Sequence, residues 1–594
     1  MNNQEQKTCQ SCKTTFSIEP EDFEFYEKVK VPSPTWCRLC RLQRRMSYHN
    51  ERYLFRLKSN KSGKDIFSMY PPQAALTVWD REEWLADDWD QNAAGMQYDW
   101  NKPFLQQYRE LMAKAPVPSR GIVQLVNSDY SNNGSYLKDS YLVFGSSYIE
   151  NGAYLENSVR VKDSLDVSFV FDSELSYECF FNLKCYSALY SSYCKDCQNI
   201  YFCRDCNGCS DCFGCVGLRG KSHYIFNKPH SKEDYAKRIK KFGMESYAKR
   251  EVLKKDISDL WLKYPVRCAK NYKNDNCTGE YITNSKNVHQ SYYIDGAENI
   301  KYSHGLYVKP SSDSYDQYRY GDNSQLMYEC ALTGGHSANI KFSYHVYTNC
   351  RDIEYSWNCN NSSHLFGCIG LNKKQYCILN KQYSREEYGG LIPEIKKHMD
   401  DMPYTDNKGR VYKYGEFMPS EISPVAYNES VAKEYFQLSQ EEALSRGFNW
   451  REANRKEYPI TMVSSDLPDT ISEVNDSIFS EVIRCEHFGT CNHECTGVIR
   501  IIPQELEIYK KLNVPIPHLC PNCRHAERIT QRNTIKLFHR SCGCTGVVSS
   551  NRIYTNQYPH DHGSGQCPNE FETSYSPERG EIVYCEQCYQ NEVI

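Results

Sequence analysis

The run from Ser173 to Cys215, SELSYECFFNLKCYSALYSSYCKDCQNIYFCRDCNGCSDCFGC, limits the fold more than any other stretch of the chain. All of its cysteines but Cys209 fall on two rows with a period of nine. One row is Ser176, Cys185, Cys194, Cys203 and Cys212; the other is Cys179, Ala188, Cys197, Cys206 and Cys215. Cys350, Cys359, Cys368 and Cys377 keep the same spacing later. Small residues returning at a fixed interval mean stacked, near-identical units. Nine residues suit a short strand plus a turn, with equivalent side chains above one another. The expected fold is mainly β: a parallel β-solenoid, with everything else attached to its ends.

At 594 residues the chain exceeds the size of a single core, so several domains are expected. The 48 tyrosines against 24 phenylalanines favour half-buried β surface with many turns. A net charge of −4 gives no global attraction to nucleic acid, so such binding needs local basic patches. No apolar run is long enough for a membrane span. The polar start MNNQEQKTC has no signal-peptide pattern. Thirty cysteines in that context predict thiols and metal thiolates in a reducing cytoplasm, not a disulfide framework.

Residues 1–120 read as a zinc-ribbon module plus connector. Cys9-x2-Cys12 and Cys37-x2-Cys40, 24 residues apart, can close tetrahedrally on one zinc. A basic run follows, including Arg41, Arg45 and Arg52, with Tyr48 and Tyr53 interleaved. Such a run suits phosphate contact and base stacking, and equally a solvated helix face.

Residues 121–265 and 266–400 read as two solenoid halves related by duplication. Phe213-Gly214-Cys215 matches Phe366-Gly367-Cys368, and Ser231-Lys232-Glu233-Asp234-Tyr235 matches Ser384-Arg385-Glu386-Glu387-Tyr388, all at an offset of 153. Each Ser is an N-cap, so each half is expected to end in a capping helix. Cys203, Cys206, Cys209 and Cys212 have iron–sulfur spacing. At the same offset, however, Cys203, Cys209 and Cys212 become Ser356, Ser362 and Leu365. That favours an interior ladder of small residues, in which cysteine acts as a small buried hydrophobe.

Residues 401–484 read as a linker with short helices, and 485–594 as a double zinc-ribbon module. Cys495 and Cys520 again have 24 residues between them, and Val514-Pro515-x-Pro517 repeats Val31-Pro32-x-Pro34. Arg524 and Arg528 stand where the first module has Arg41 and Arg45, and Arg532 continues the run. A merely solvated face need not hold its arginines in register. The expected ligands are Cys491, Cys495, Cys520 and Cys523 for one zinc, and Cys542, Cys544, Cys585 and Cys588 for another. At matching offsets the first module has Ser59, Lys61, Asp80 and Glu83, so its second site is lost. About three structural zincs are expected in all. Cys485, His560, His562 and Cys567 are left unassigned.

The segments CPNCRHAERITQRN, CPNEFETSYSPERGEIVYCEQCYQNEV and FGCVGLRGKSHYIFNKPHSKEDY resemble an uncharacterised family of large bacterial zinc-ribbon proteins with Cys- and Tyr-rich repeats. The resemblance implies zinc ribbons and no catalytic residue. The sequence departs from that pattern where solenoid positions carry Tyr, Ser or Val, and where the N-terminal second ribbon lacks ligands.

Three functions compete. The first is a non-enzymatic scaffold contacting nucleic acid or a ribonucleoprotein through Arg41, Arg45, Arg52, Arg524, Arg528 and Arg532. The second is a protein-assembly scaffold using tyrosine-rich solenoid faces. The third is a β-helix enzyme acting on carbohydrate. Against that third reading, the sequence carries no phosphate-binding Gly loop, nucleophile elbow or HExxH, and no carboxylate pair is kept between the halves. No catalytic residue is assigned.

Overall fold

The computed structural model describes residues 4–452 and 458–593. It is mainly β and divides into two units, each drawn from two separate stretches of chain. One unit joins 1–120 to 269–452; the other joins 121–268 to 453–594. Each therefore holds one cysteine-rich terminal module and one large parallel sheet.

In the second unit the sheet has 12 strands, paired almost entirely in sequence order. The register advances by 12 residues per strand, as in Tyr186↔Gln198↔Ser210↔Ser222. The period is thus 12, and the nine-residue cysteine spacing is a diagonal of that lattice. The thiol of Cys194 donates to the carbonyl of Cys203 at 3.5 Å, and that of Cys197 to Cys206 at 3.4 Å. Nine residues on is one full step less one inward position.

Inward positions recur every third residue: Cys185, Ala188, Ser191, Cys194, Cys197, Ile200, Cys203 and Cys206 are all at most 2% exposed. The residue before each is left-handed. At every third position from Asp163 to Asp205, φ lies between 48° and 59°. That conformation is costly for residues other than glycine. Here it bends the chain once per triplet and turns the next side chain inward.

The inward side chains also close the lattice polar groups. The amide of Cys194 donates to Asn182 Oδ1 at 2.9 Å, that of Cys203 to Ser191 Oγ at 3.0 Å, and that of Cys209 to Cys197 Sγ at 3.4 Å. Where an inward residue is polar, it is small and accepts one amide, and its own hydroxyl or thiol can donate to a carbonyl. Serine and cysteine fit that pattern, and buried backbone groups need such partners.

In the first unit the sheet has 11 strands, from Asp275–Thr283 to Lys381–Gln382. Its steps are 12 residues near the end but 13 at Gln325↔Ala338↔Arg351. The extra residues explain why the 153-residue offset does not extend far back along the chain.

Both sheets end alike. The hairpin Ser222–Ile225 with Lys228–Pro229 corresponds to Gln375–Ile378 with Lys381–Gln382. Helices Lys232–Phe242 and Arg385–Asp401 follow, capped by Ser231 and Ser384, whose hydroxyls each accept an amide at 3.1 Å. Phe242 stacks on Phe213 at 4.3 Å, and Ile395 and Met399 are buried.

The terminal modules share one plan. Helices Pro20–Val29 and Arg38–Met46 recur as Pro503–Leu512 and Pro521–Ile529. The hairpin Phe55–Lys58 with Asp65–Ser68 recurs as Phe538–Ser541 with Glu570–Thr573. Among the described residues no helix is long and apolar enough to cross a membrane.

Candidate metal centres and arginine helices

The sulfurs of Cys9, Cys12, Cys37 and Cys40 all lie within 4.8 Å of one another. Cys9 starts a tight turn that uses Lys13 at a φ of 62°. Cys37 is the N-cap of helix Arg38–Met46, which carries Cys40 one turn on. The Cys37 amide donates to Cys9 Sγ at 3.3 Å. Thiols of Cys37 and Cys40 donating to Cys9 hold it far below the ordinary thiol range, so the group already favours a thiolate. Four converging sulfurs of this kind can hold a metal ion, and a tetrahedral all-sulfur set suits zinc.

The C-terminal module has two corresponding groups, and each differs by one residue from the grouping expected from spacing. The first is Cys485, Cys495, Cys520 and Cys523, with Cys485 in place of Cys491. Cys485 repeats the role of Cys9: its sulfur accepts the Cys520 amide at 3.2 Å. The knuckle is widened by a loop, so the nearer cysteine in sequence, Cys491, is not the equivalent one. The second group is Cys542, Cys567, Cys585 and Cys588, with Cys567 in place of Cys544. Here Cys542 Sγ accepts the Cys585 amide at 3.2 Å. The Cys585 thiol is pulled down to about 4, chiefly by the thiol of Cys542.

The displaced cysteines are not idle. Cys491 lies with His487, His493 and Cys523, and Cys544 with His560, His562 and Cys588, each set within the same 4.8 Å span.

The N-terminal counterpart of the second group is polar. Stepping back by the offsets of the matched hairpins, 483 before the insertion and 505 after it, Cys542, Cys567, Cys585 and Cys588 become Ser59, Ser62, Asp80 and Glu83. The Ser59 hydroxyl donates to Glu83, and Ser62 also hydrogen-bonds that carboxylate. Lys61, matched to Cys544, pairs instead with Asp88 at 2.5 Å.

The cysteines between the modules are of two kinds: neighbouring thiols pull Cys197, Cys209 and Cys215 down, Cys215 to about 4, whereas others are raised. Burial pushes the Cys179 and Cys330 thiols up to about 12, and Cys350 and Cys377 up to about 11. Buried thiols of that kind are inert.

The arginines of the two helices that stand in register do not face solvent. Arg41, Arg45, Arg524 and Arg528 are 2%, 0%, 3% and 4% exposed. In the first unit Arg41 and Arg45 grip Asp316 at 2.7 and 2.9 Å, and Arg45 also reaches Glu329 at 2.7 Å. Arg44 bridges Glu329 and Glu416, both at 3.2 Å. In the second unit Arg524 and Arg528 converge on Asp166 at 2.9 and 2.7 Å, and His525 meets Glu156 at 3.0 Å. The arginines are in register because each fastens its module to a sheet. Arg52 and Arg532 are half-buried. Tyr48, expected to stack on bases, is packed against Tyr344 and Phe417 and donates to the Pro419 carbonyl at 2.6 Å. Tyr53 and Phe538 are half-buried.

No family model and no curated protein matches the chain. Among solved structures, a provisionally assigned acetyltransferase from Desulfovibrio desulfuricans G20 is 8% identical, covering 49% of this chain and 86% of that one, with a TM-score of 0.10. The UDP-N-acetylglucosamine acyltransferase from Campylobacter jejuni is 9% identical, covering 48% and 92%, with a TM-score of 0.08. Agreement this low carries no argument about fold or chemistry.

Proposed function

We propose that this chain is a non-enzymatic binding scaffold in which two parallel β-solenoids are each braced by a zinc-ribbon module. The observation that carries it is the internal use of the charged and thiolate groups. Both arginine helices are spent on sheet carboxylates, and each four-cysteine cluster offers a metal four protein sulfurs. Zinc held by four protein ligands keeps no open position for substrate, which is the structural kind of site. The solenoid reading is supported by the regular 12-residue register and by its left-handed triplets.

Nucleic-acid contact through the arginine strips would require each module to leave its sheet. The protein-assembly reading is therefore the better supported one. The open face of the second unit carries a depression of 590 Å³, lined by residues including Arg160, Lys162, Asp172, Glu174, Lys184 and Tyr186. Beside it, exposed Tyr136 and Tyr148 stack at 4.6 Å, in the column that Arg160 continues. Tyrosine and arginine among charges of both signs suit a protein partner better than a polyanion.

The test is purification of the full chain at low salt, beside a Tyr148→Ala/Lys184→Glu double variant of equal thermal stability. A protein partner that survives a high-salt wash and is lost from the variant supports the reading. Bound nucleic acid that leaves at high salt, and is retained equally by the variant, sinks it.

A further inference from the structure

The two C-terminal cysteine groups each have a neighbour that shares one of their sulfurs. We propose that each pair is a binuclear metal centre bridged by a single thiolate, Cys523 in one and Cys588 in the other. The inference rests on the metal-braced reading and adds ions that this reading does not require.

At the first centre, Cys485, Cys495, Cys520 and Cys523 form one four-ligand set, and His487, Cys491, His493 and Cys523 the other, each with its ligand atoms within 4.8 Å of one another. Cys491 Sγ lies 3.7 Å from Cys523 Sγ. The Nδ1 atoms of His487 and His493 are buried and have no hydrogen-bond partner, and their rings lie 5.7 Å apart. Buried imidazole nitrogens need partners, and a divalent cation supplies one to each.

At the second centre the orientation of the ligands is explicit. Cys544 Sγ is 3.5 Å from His560 Nδ1 and 3.4 Å from His562 Nε2, and His562 Nε2 is also 3.4 Å from Cys588 Sγ. Both far ring nitrogens are engaged. His560 Nε2 meets Glu592 Oε1 at 3.0 Å, and His562 Nδ1 meets the Gly565 carbonyl at 3.0 Å. A carboxylate or carbonyl behind an imidazole fixes its tautomer and aims the other nitrogen at a metal. The Gly546 amide and Asn556 Nδ2 donate to Cys544 Sγ at 3.3 and 3.2 Å, as suits a thiolate. Two sulfurs and two imidazoles in tetrahedral reach favour zinc.

Each extra set lies where the C-terminal module is longer than the N-terminal one. His487, Cys491 and His493 occupy the widened knuckle, and His560 and His562 the insertion before Cys567. The N-terminal module keeps only its single four-cysteine group in those positions, so it serves as an internal control.

The test is metal content of the intact full-length protein, followed by 113Cd exchange and NMR. We expect about five zinc ions per chain, one from the N-terminal group and two from each C-terminal centre. Four cadmium resonances should show metal–metal coupling through sulfur, and one should be an uncoupled singlet. A Cys491→Ser/His493→Ala variant should lose about one ion, and one coupled pair should collapse to a singlet. His562→Ala should do the same at the other centre, so misfolding of one variant leaves the other to read. About three ions, unchanged in both variants, would overturn the binuclear inference and leave the metal-braced reading standing. Five ions without coupling would also overturn it. A folded protein with no bound metal would remove both.

Discussion

At the residue scale, cations drawn from two helices decide the state of an acidic side chain on the sheet. Burial alone would raise the Glu178 carboxyl, but Lys254, Arg250 and Arg528 together bring it down to about 2. A carboxylate depressed in the folded state adds stability above its unfolded pKa of about 4.5 and loses it as pH falls toward 2. The second unit should therefore weaken between about pH 5 and 2, by roughly 3 kcal/mol from this group. Thiolate protonation also weakens it there, so the readout is the difference between wild type and Glu178→Gln in urea melts along that range. Identical pH slopes would show that Glu178 contributes nothing. Arg45→Ala leaves Asp316 and Glu329 facing each other without that partner, and should cost about 3–5 kcal/mol. Because the pair is buried, this loss should change little between low and high salt, unlike a surface phosphate contact.

At the element scale, the sequence carried the repeat but disguised its period. Cysteine marks inward positions at nine-residue spacing only because the occupied sites run diagonally. The intervening inward positions hold Ser, Ala, Asn or Ile, which no count of cysteines reveals. The duplication pointed to these thiols as ladder residues, since Ser356 and Leu365 take the places of Cys203 and Cys212, and both cysteines are buried. Cys203→Ser should accordingly cost about 1 kcal/mol and leave the protein folded and colourless. Visible absorbance in the unsubstituted protein that this variant loses would instead expose a cluster. The cysteine groups able to hold a metal were half legible. CxxC pairs are rigid local turns, so Cys9, Cys12, Cys37 and Cys40 could be read directly. Where an insertion widens the turn, proximity in sequence stops meaning proximity in space, and the four-sulfur groups contain Cys485 and Cys567 where spacing pointed to Cys491 and Cys544. The partners of the arginines were not legible at all: Asp316 lies 271 residues from Arg45, and Asp166 lies 362 from Arg528.

At the scale of the whole molecule, each unit is completed by a stretch distant in sequence. Residues 1–120 cover the sheet of 269–452, burying Tyr318, Tyr328 and Tyr344 together with Asp316 and Glu329. Without that module, large aromatic side chains and two carboxylates would be exposed on one face. A patch of that kind drives aggregation, and the carboxylates would lose their only buried cations among the described residues, Arg41, Arg44 and Arg45. Expression of residues 121–594 should therefore give insoluble protein or one with a lower melting temperature. Supplying residues 1–120 in trans should restore a soluble complex, because the lost contacts are between side chains and need no peptide link. Arg41→Ala/Arg45→Ala in the supplied fragment should abolish that rescue, and chelation of its metal should do so too. A truncated chain that stays soluble with an unchanged melting curve would mean that the arginine helix is an accessory, and its register in the two modules would again need a ligand to explain it.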